Sequence, residues 1–343
     1  MESLPIQDKG TPFYRELQTL EGLDTRDNRG KRHDMSIILL GFTLALLSKR
    51  DGNLSSIHRH MKNRYVETCE FIGLLAQKVV SRSQLPLVLS AVNLSVLETH
   101  IFNFYGIKLS EDEKQWFSGD GKELCGSIET GDNRGEAVVQ LVEHQTGMVM
   151  NETFYKGKKE SEKPAIRHLI ASSGVSTQKI SLDALYFSPE TLALIHQAGG
   201  IYLVGLKGNQ KELLADMEKA SQYLPVIDQQ KTVEKGHSRI DTRAYQIFDI
   251  GKEYIDKRWE DCGLKMLIKV NPQRVEIKTA KEFSEIAFYM TNTRPKKDTA
   301  ARELFKAVRQ HWSVEVTNHI RDVTFNEDAF RTKKTIVPRL PQL

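Results

Sequence analysis

The chain has 343 residues, with 49 basic and 45 acidic side chains and a formal net charge of +4. This length allows two or three domains and a sizeable core without disulfides or metal staples. The small net charge excludes an affinity for nucleic acid that rests on overall charge, so any such affinity depends on local clusters of basic residues.

The cysteines and the apolar runs predict a cytoplasmic protein with no membrane partner. Cys69, Cys125 and Cys262 are far apart and have no CxxC spacing, which is typical of free thiols in a reducing compartment. Residues 1–32 are polar and lack the apolar region of a signal peptide. The most apolar run, residues 36–47, is shorter than the roughly 20 residues that a membrane-spanning helix requires, and it predicts a buried helix.

The N-terminal third predicts an arm followed by a small helical domain. Residues 1–32 contain clustered basic residues and little apolar periodicity, which predicts a flexible basic arm that is either a plain tail or a phosphate contact. Residues 33–110 show helical periodicity, and Ser95 to Glu98 has the spacing of a capping box. Residues 57–65 combine basic side chains with an aromatic one, which suits either a helix that binds DNA or an exposed basic helix.

Residues 111–206 predict the first part of an α/β domain. A first strand ends at Asp120, and the next two strands form a hairpin around the turn at 145–147. Helices and strands then alternate over 163–172, 179–182, 189–198 and 201–206. This order predicts a mixed sheet of the ribonuclease-H-like kind.

Residues 207–296 predict a β-rich insertion, and residues 297–343 predict a helix over 298–322 and a C-terminal tail. Lys207 and Asn209 occupy a turn whose ammonium and backbone N–H groups suit a phosphate. The basic hairpin of the insertion is either a charged edge that prevents aggregation or a DNA-binding face. The predicted DNA contacts are Lys122, Lys207, Asn209, Lys235, His237 and Arg239.

The late helix carries an unusual polar stripe. His311, Glu315, His319 and Asp322 fall within about 80° of one another at helical spacing. Three interpretations are open for the stripe alone: a solvated face, the lining of a cleft, or a metal site shared by positions i, i+4 and i+8.

Two aspartates decide among these interpretations. Asp183 follows the strand 179–182 directly, and the crevice at such strand ends is where open α/β sheets bind ligands. With Asp120 and Glu315 it forms a set of hard carboxylates, which favours Mg²⁺, with Mn²⁺ as a substitute, over zinc.

Such a set suits phosphodiester chemistry. Two Mg²⁺ ions about 3.5 to 4 Å apart activate a water or a 3′-hydroxyl and stabilise the leaving oxygen. In this prediction Asp120 bridges both ions, while Asp183 and Glu315 bind one ion each. His311 contacts the scissile phosphate or orients Glu315, and His319 and Asp322 support the ligands without binding the ions.

Several ordered motifs resemble the DDE-class transposases of bacterial insertion sequences, and most of all the H-repeat-associated group found beside Rhs elements. The resemblance runs from about residue 34 to residue 331 and rests on the stretch around Glu315 and on four further segments: 120–127, 183–185, 205–210 and 235–243. It implies a ribonuclease-H-like catalytic domain that a β-rich insertion interrupts.

The resemblance also implies the site and the partners. Asp120, Asp183 and Glu315 match the catalytic triad, with 63 residues between the aspartates and 132 from Asp183 to Glu315. The implied partners are double-stranded DNA with terminal inverted repeats, target DNA, and a second copy of the chain when two ends are paired. Cys125 departs from the arginine that is usual in the group, and relatives continue through another helix beyond Leu343. A nuclease without joining activity and a DNA-binding protein without catalysis are the alternative interpretations.

Overall fold

The computed structural model describes residues 12–48, 53–105, 109, 112–128, 131–157, 161–236, 238–295 and 298–325. In its N-terminal part the described residues form helices around their own apolar core. The predicted buried helix at 36–47 is confirmed as α2, since most of its side chains are buried. These helices are α1 (Pro12–Thr19), α2 (Met35–Ser48), α3 (Leu54–Phe71), α4 (Leu85–Leu89) and α5 (Leu94–Tyr105).

Part of the predicted flexible arm is packed instead. Helix α1 lies within residues 1–32, and its Tyr14 and Leu17 are buried in the helical core together with Leu23. The apolar residues recur at helical spacing and so find a core to pack on, although the neighbouring charges mask this pattern in the sequence. Residues 1–11 lie outside the described part of the chain.

A single mixed sheet holds ten strands of the described residues. Its order is β3-β2-β1-β4-β5-β10-β8-β7-β6, and β9 pairs with β8. The central strands β1, β4 and β5 are parallel, and the other pairings are antiparallel. The strands are β1 (Trp116–Glu123), β2 (Glu136–Glu143), β3 (Val149–Lys156), β4 (Lys179–Leu182), β5 (Ile201–Leu206), β6 (Asp228–Gly236), β7 (Arg239–Asp249), β8 (Met266–Glu276), β9 (Glu282–Ser284) and β10 (Ala287–Thr291).

Helices cover both faces of the sheet, because side chains alternate along each strand. In β5, Tyr202 and Val204 belong to one core with helices α6, α7 and α8, while Leu203 belongs to a second core with α9. The later helices are α6 (Glu162–Ser172), α7 (Pro189–Gln197), α8 (Lys211–Tyr223), α9 (Asp298–Gln310) and α10 (Ser313–His319). This mixed α/β architecture with an N-terminal helical region confirms the predicted fold class and is consistent with a ribonuclease-H-like transposase fold.

Two element predictions are wrong in ways that matter for the site. Strand β1 does not end at Asp120 but continues to Glu123, because Gly121 stays paired with Val139 instead of forming a turn. The predicted helix 298–322 is interrupted at His311 and Trp312 and ends in a π-helical segment, Ile320–Thr324. The interruption coincides with a bond that ties the His311 side chain to the sheet.

The β-rich segment continues the main sheet and does not form a separate one. Strand β10 pairs with β5 on one side and with β8 on the other. Among the described helices, none is long and apolar enough to cross a bilayer.

Candidate active site

Neighbouring strands bring the two aspartates together. Asp120 lies in the middle of β1, and Asp183 follows the last residue of β4. The two strands are parallel, with Gly119 opposite Leu182, so the aspartates are the next residues along the two chains. Glu315 reaches them from α10.

The ionisation of these acids reflects their closeness. Burial, together with the negative charges of Glu162, Glu315 and Asp183, raises the pKa of Asp120 to about 7, against the hydrogen bond from the Gly121 backbone N–H, which lowers it. Burial and the charge of Asp183 likewise raise the pKa of Glu315, while Lys207 opposes that shift. The structure therefore brings the three predicted acids into one electrostatic cluster.

The chemistry of the cluster fits a hard divalent cation. Its donors are carboxylates, and their mutual repulsion is what a cation between them relieves. As the side chains stand, no three His, Cys, Asp or Glu residues in the described ranges are close enough to hold an ion together. Asp183 instead accepts a bond from Lys207 Nζ at 3.2 Å, so metal binding requires this carboxylate to turn away from the lysine.

The turn after β5 presents two polar side chains beside Asp183. The Lys207 side chain is 70% exposed, and its ammonium is the partner of Asp183. Asn209 donates from Nδ2 to the carbonyl oxygen of Ala184 at 2.7 Å, which fixes the turn against the residue after Asp183. The turn therefore lies beside Asp183, and its contact with a phosphate stays a prediction.

His311 is held by the sheet. Its Nδ1 lies 3.0 Å from the Ser181 hydroxyl oxygen, on the strand that leads to Asp183. Burial lowers the pKa of His311 to about 4, against the opposing charge of Asp183. The imidazole is therefore neutral at pH 7 and, in this arrangement, is not a cationic contact for a phosphate.

Other predicted contacts lie elsewhere. Lys122 is buried, with its ammonium 2.5 Å from Asp322 Oδ1. In this arrangement the two side chains bind each other, and the DNA contact by Lys122 and the support of the metal ligands by Asp322 stay predictions. His319 is exposed on α10. Lys235 is exposed on β6 at the far end of the strand order, Arg239 is paired with Asp241 at 2.9 Å, and His237 lies outside the described residues.

Sequence reasoning missed a fourth carboxylate. Glu162, in the first turn of α6, accepts hydrogen bonds from the hydroxyls of Tyr186 and Tyr155. A Cβ on Gly121 would lie 2.4 Å from its carboxyl group, which places Glu162 directly over β1. The available signal was an acid at the start of a predicted helix, but the predicted helix began one residue too late to include it.

A row of polar residues beside Asp120 was also missed. Gln140 of β2 is opposite Asp120, and Glu152 of β3 is opposite Gln140. Asn318 and Arg321, from the segment that carries Glu315, lie over this row and bond to it. Two polar residues at fully or nearly fully buried strand positions, Gln140 and Glu152, are the signal that the sequence contained.

Comparisons with known proteins identify the family of the chain. Residues 133–337 match the profile of the family described as "Transposase DDE domain". "Putative transposase YncI" of Escherichia coli O157:H7 is 30% identical over 63% of this chain and 56% of its own length. "H repeat-associated putative transposase YhhI" of Escherichia coli K12 is 26% identical over 91% of this chain and 82% of its own. "Putative protein YbfL" of the same strain is 29% identical over 66% of this chain, which spans 60% of that relative.

Proposed function

Because the chain belongs to the transposase DDE-domain family, in the H repeat-associated group, we propose that it cuts and joins the DNA ends of an insertion sequence. The observation that carries the proposal is the electrostatic interaction of three carboxylates, from β1, from the end of β4 and from α10, which as the side chains stand are not close enough to hold one ion together. Burial and mutual repulsion raise the pKa of Asp120 to about 7, which is the electrostatic state expected of ligands that await a cation.

Asp120, Asp183 and Glu315 hold the ions in this proposal, with Mg²⁺ as the physiological metal and Mn²⁺ as a substitute. Two such ions, when bound, supply the positive charge that activates the attacking oxygen and stabilises the leaving one. The attack of water on the phosphorus breaks the bond to the 3′-oxygen and leaves a 3′-hydroxyl. This hydroxyl then gives up its proton and attacks a phosphorus of the target, whose own bond to a 3′-oxygen breaks, so that the target strand leaves with a 3′-hydroxyl. No covalent bond between protein and DNA is needed.

In this proposal, other residues of the site bind the DNA phosphate or hold the metal ligands in position. Lys207 presents an exposed ammonium beside Asp183, and it binds a phosphate oxygen once the carboxylate turns to the metal. His311 stays neutral and keeps the Glu315 segment on the sheet through Ser181. Pairing of two ends requires two copies of the chain, so the active assembly is a homodimer on DNA.

A plasmid that carries the element's own ends tests the proposal. The protein is incubated with this plasmid in Mg²⁺, and nicked, excised and joined products are separated on a gel. We expect all three with the parent protein and none with Glu315→Ala, which still shifts labelled end DNA.

Other outcomes identify the alternatives. Nicked products without joined ones favour a nuclease without strand transfer. Binding of the ends without cleavage in either Mg²⁺ or Mn²⁺ favours a transposase-derived DNA-binding protein and overturns the proposal.

A further inference from the structure

A chain of hydrogen bonds leads from a buried arginine to Asp120. Arg321 donates from NH1 to Gln140 Oε1 at 2.7 Å, and Gln140 donates from Nε2 to Asn318 Oδ1 at 2.6 Å. Asn318 then donates from Nδ2 to Asp120 Oδ2 at 3.4 Å. Gln140 is completely buried and Arg321 is 7% exposed, so most of this series of hydrogen bonds is shielded from water.

The donors and acceptors in this series of hydrogen bonds can be arranged in only one direction. A guanidinium carries donors and no acceptor, so Gln140 must present its oxygen to Arg321. Its amide nitrogen then faces Asn318, which must present its own oxygen in return. The nitrogen of Asn318 is left to face Asp120. The arginine thus determines, through two amides, that a donor meets the Asp120 carboxylate.

The same residues join two of the acids. Asp120, Gln140 and Glu152 are register partners across β1, β2 and β3. Asn318 is three residues after Glu315, and Arg321, which also lies 3.5 Å from Glu152, is in the π-helical segment Ile320–Thr324. The bonds of Asn318 and Arg321 to Gln140 and Asp120 therefore fix the segment that carries Glu315 relative to the strand that carries Asp120.

We propose that Arg321, Gln140 and Asn318 are positioning residues that orient the Asp120 carboxylate for metal binding and fix the Glu315 segment beside it. The inference rests on the proposed function, because it assumes that these acids bind the ions. Groups that hydrogen-bond to metal ligands change metal affinity by about 10–100-fold when they are lost.

Binding of Mn²⁺ tests this inference without any DNA. The free Mn²⁺ signal is followed by electron paramagnetic resonance as the ion is titrated into the full chain. We expect Asn318→Leu, which replaces the amide by an apolar group of similar size, to bind Mn²⁺ about 10–100-fold more weakly than the parent. Gln140→Met, which removes the amide between Arg321 and Asn318, is expected to weaken binding in the same range, and the double variant no further than Asn318→Leu alone.

Glu152→Gln is the matched control. It removes the charge partner of Arg321 but leaves the direction of the amide bonds unchanged, so it lowers the melting temperature and leaves Mn²⁺ affinity as in the parent. Melting temperatures of all variants show which of them fold, and Asn318→Ser replaces the leucine variant if that one does not.

Each result is decisive. If Asn318→Leu and Gln140→Met bind Mn²⁺ as the parent does, or if Glu152→Gln weakens Mn²⁺ binding as much as they do, the polar row has only a structural role. The inference is then overturned, while the proposed function is not affected. If the folded parent binds no Mn²⁺, or if Asp120→Asn binds it as tightly as the parent does, both the proposed function and this inference are overturned.

Discussion

The buried Ser181 hydroxyl shows how a single residue can connect the elements that carry the site. Its oxygen lies 2.9 Å from His144 Nε2, 3.0 Å from His311 Nδ1 and 3.1 Å from the Ser118 hydroxyl. Ser118 and Ser181 each precede an aspartate of the site by two residues, so they share its face of the strand. One buried hydroxyl therefore connects β1, β4 and the chain just before α10.

His144 gives this cluster a testable dependence on pH. Burial, with smaller contributions from the neighbouring His311 and Lys306, lowers the pKa of His144 to about 3. A lowered pKa stabilises the fold above the unfolded value of about 6.5, and this contribution is lost as the pH falls toward the folded value.

We expect His144→Gln to lower the free energy of unfolding at pH 7.5, because the bond to Ser181 and the stacking on Trp116 are altered. At pH 5 the difference from the parent should be smaller by about 2 kcal/mol, since the variant has no proton to take up at this position on unfolding. Urea unfolding at the two pH values measures both differences. Equal differences at both pH values would show that His144 is not kept neutral by burial.

Lys207 and Lys122 form a matched pair for DNA binding. Lys207 is exposed beside Asp183, whereas Lys122 is buried against Asp322. We expect Lys207→Gln to reduce the slope of log affinity against log salt by about 1, because one phosphate contact is lost. Lys122→Gln should leave this slope unchanged. Fluorescence anisotropy of a labelled end duplex over a salt series measures the slopes, and a change in the Lys122 variant alone contradicts the assignment.

Only some of the residues at the candidate site could be predicted from the sequence. Asp120, Asp183 and Glu315 were predicted as a set because carboxylates at predicted strand ends and on a polar helical stripe have few structural explanations, and their role as metal ligands stays a prediction. Gln140 and Asn318 were missed because their importance depends on strand register and on the docking of a distant helix, which no local pattern encodes.

Strand β1 is the element on which the site depends. One face carries Ser118, Asp120 and Lys122, which meet the Ser181 hydroxyl, Asn318 and Asp322 in turn. The other face has glycines where helix α6 packs closely. The alternation of a strand thus separates a polar site from an apolar core within eight residues.

Gly119 tests that close packing. A Cβ at this position would lie 2.8 Å from Leu182 Cδ2 and 3.2 Å from Ile166 Cδ1. We expect Gly119→Ala to destabilise the fold by about 1–3 kcal/mol through overpacking of the core. Gly236→Ala is the control, because a Cβ there meets nothing within 4 Å and its stability should change by less than about 0.5 kcal/mol. Urea midpoints compare the two, and equal effects would contradict the packing argument.

Regular periodicity predicted most elements well. The predicted strands 179–182 and 201–206 match β4 and β5, and the predicted helix 163–172 differs from α6 by one residue at its start. Errors occurred where local signals mislead: Gly121 suggested a turn inside β1, and the apolar pattern through His311 gave no sign of the helix interruption.

At the scale of the whole molecule, the order of strands and helices was sufficient for the fold class. Alternating elements after an antiparallel hairpin restrict the possible sheets to a few, and the mixed sheet observed is one of these. The continuation of the sheet through β10 was not predictable, because pairing between β5 and a strand some 80 residues later depends on non-local contacts.

The central claim is that three acids from distant parts of the chain act as one site. Its most direct test is the rate of cleavage of a labelled end duplex in Mg²⁺ by Asp120→Asn, Asp183→Asn, Glu315→Gln and the triple variant, with DNA binding measured alongside. When catalytic groups act as a unit, removing any one of them abolishes the contribution of all. Each single variant should therefore be as inactive in cleavage as the triple variant while still binding DNA. A single variant with the cleavage rate of the parent, or losses that multiply from single to triple, would contradict the claim.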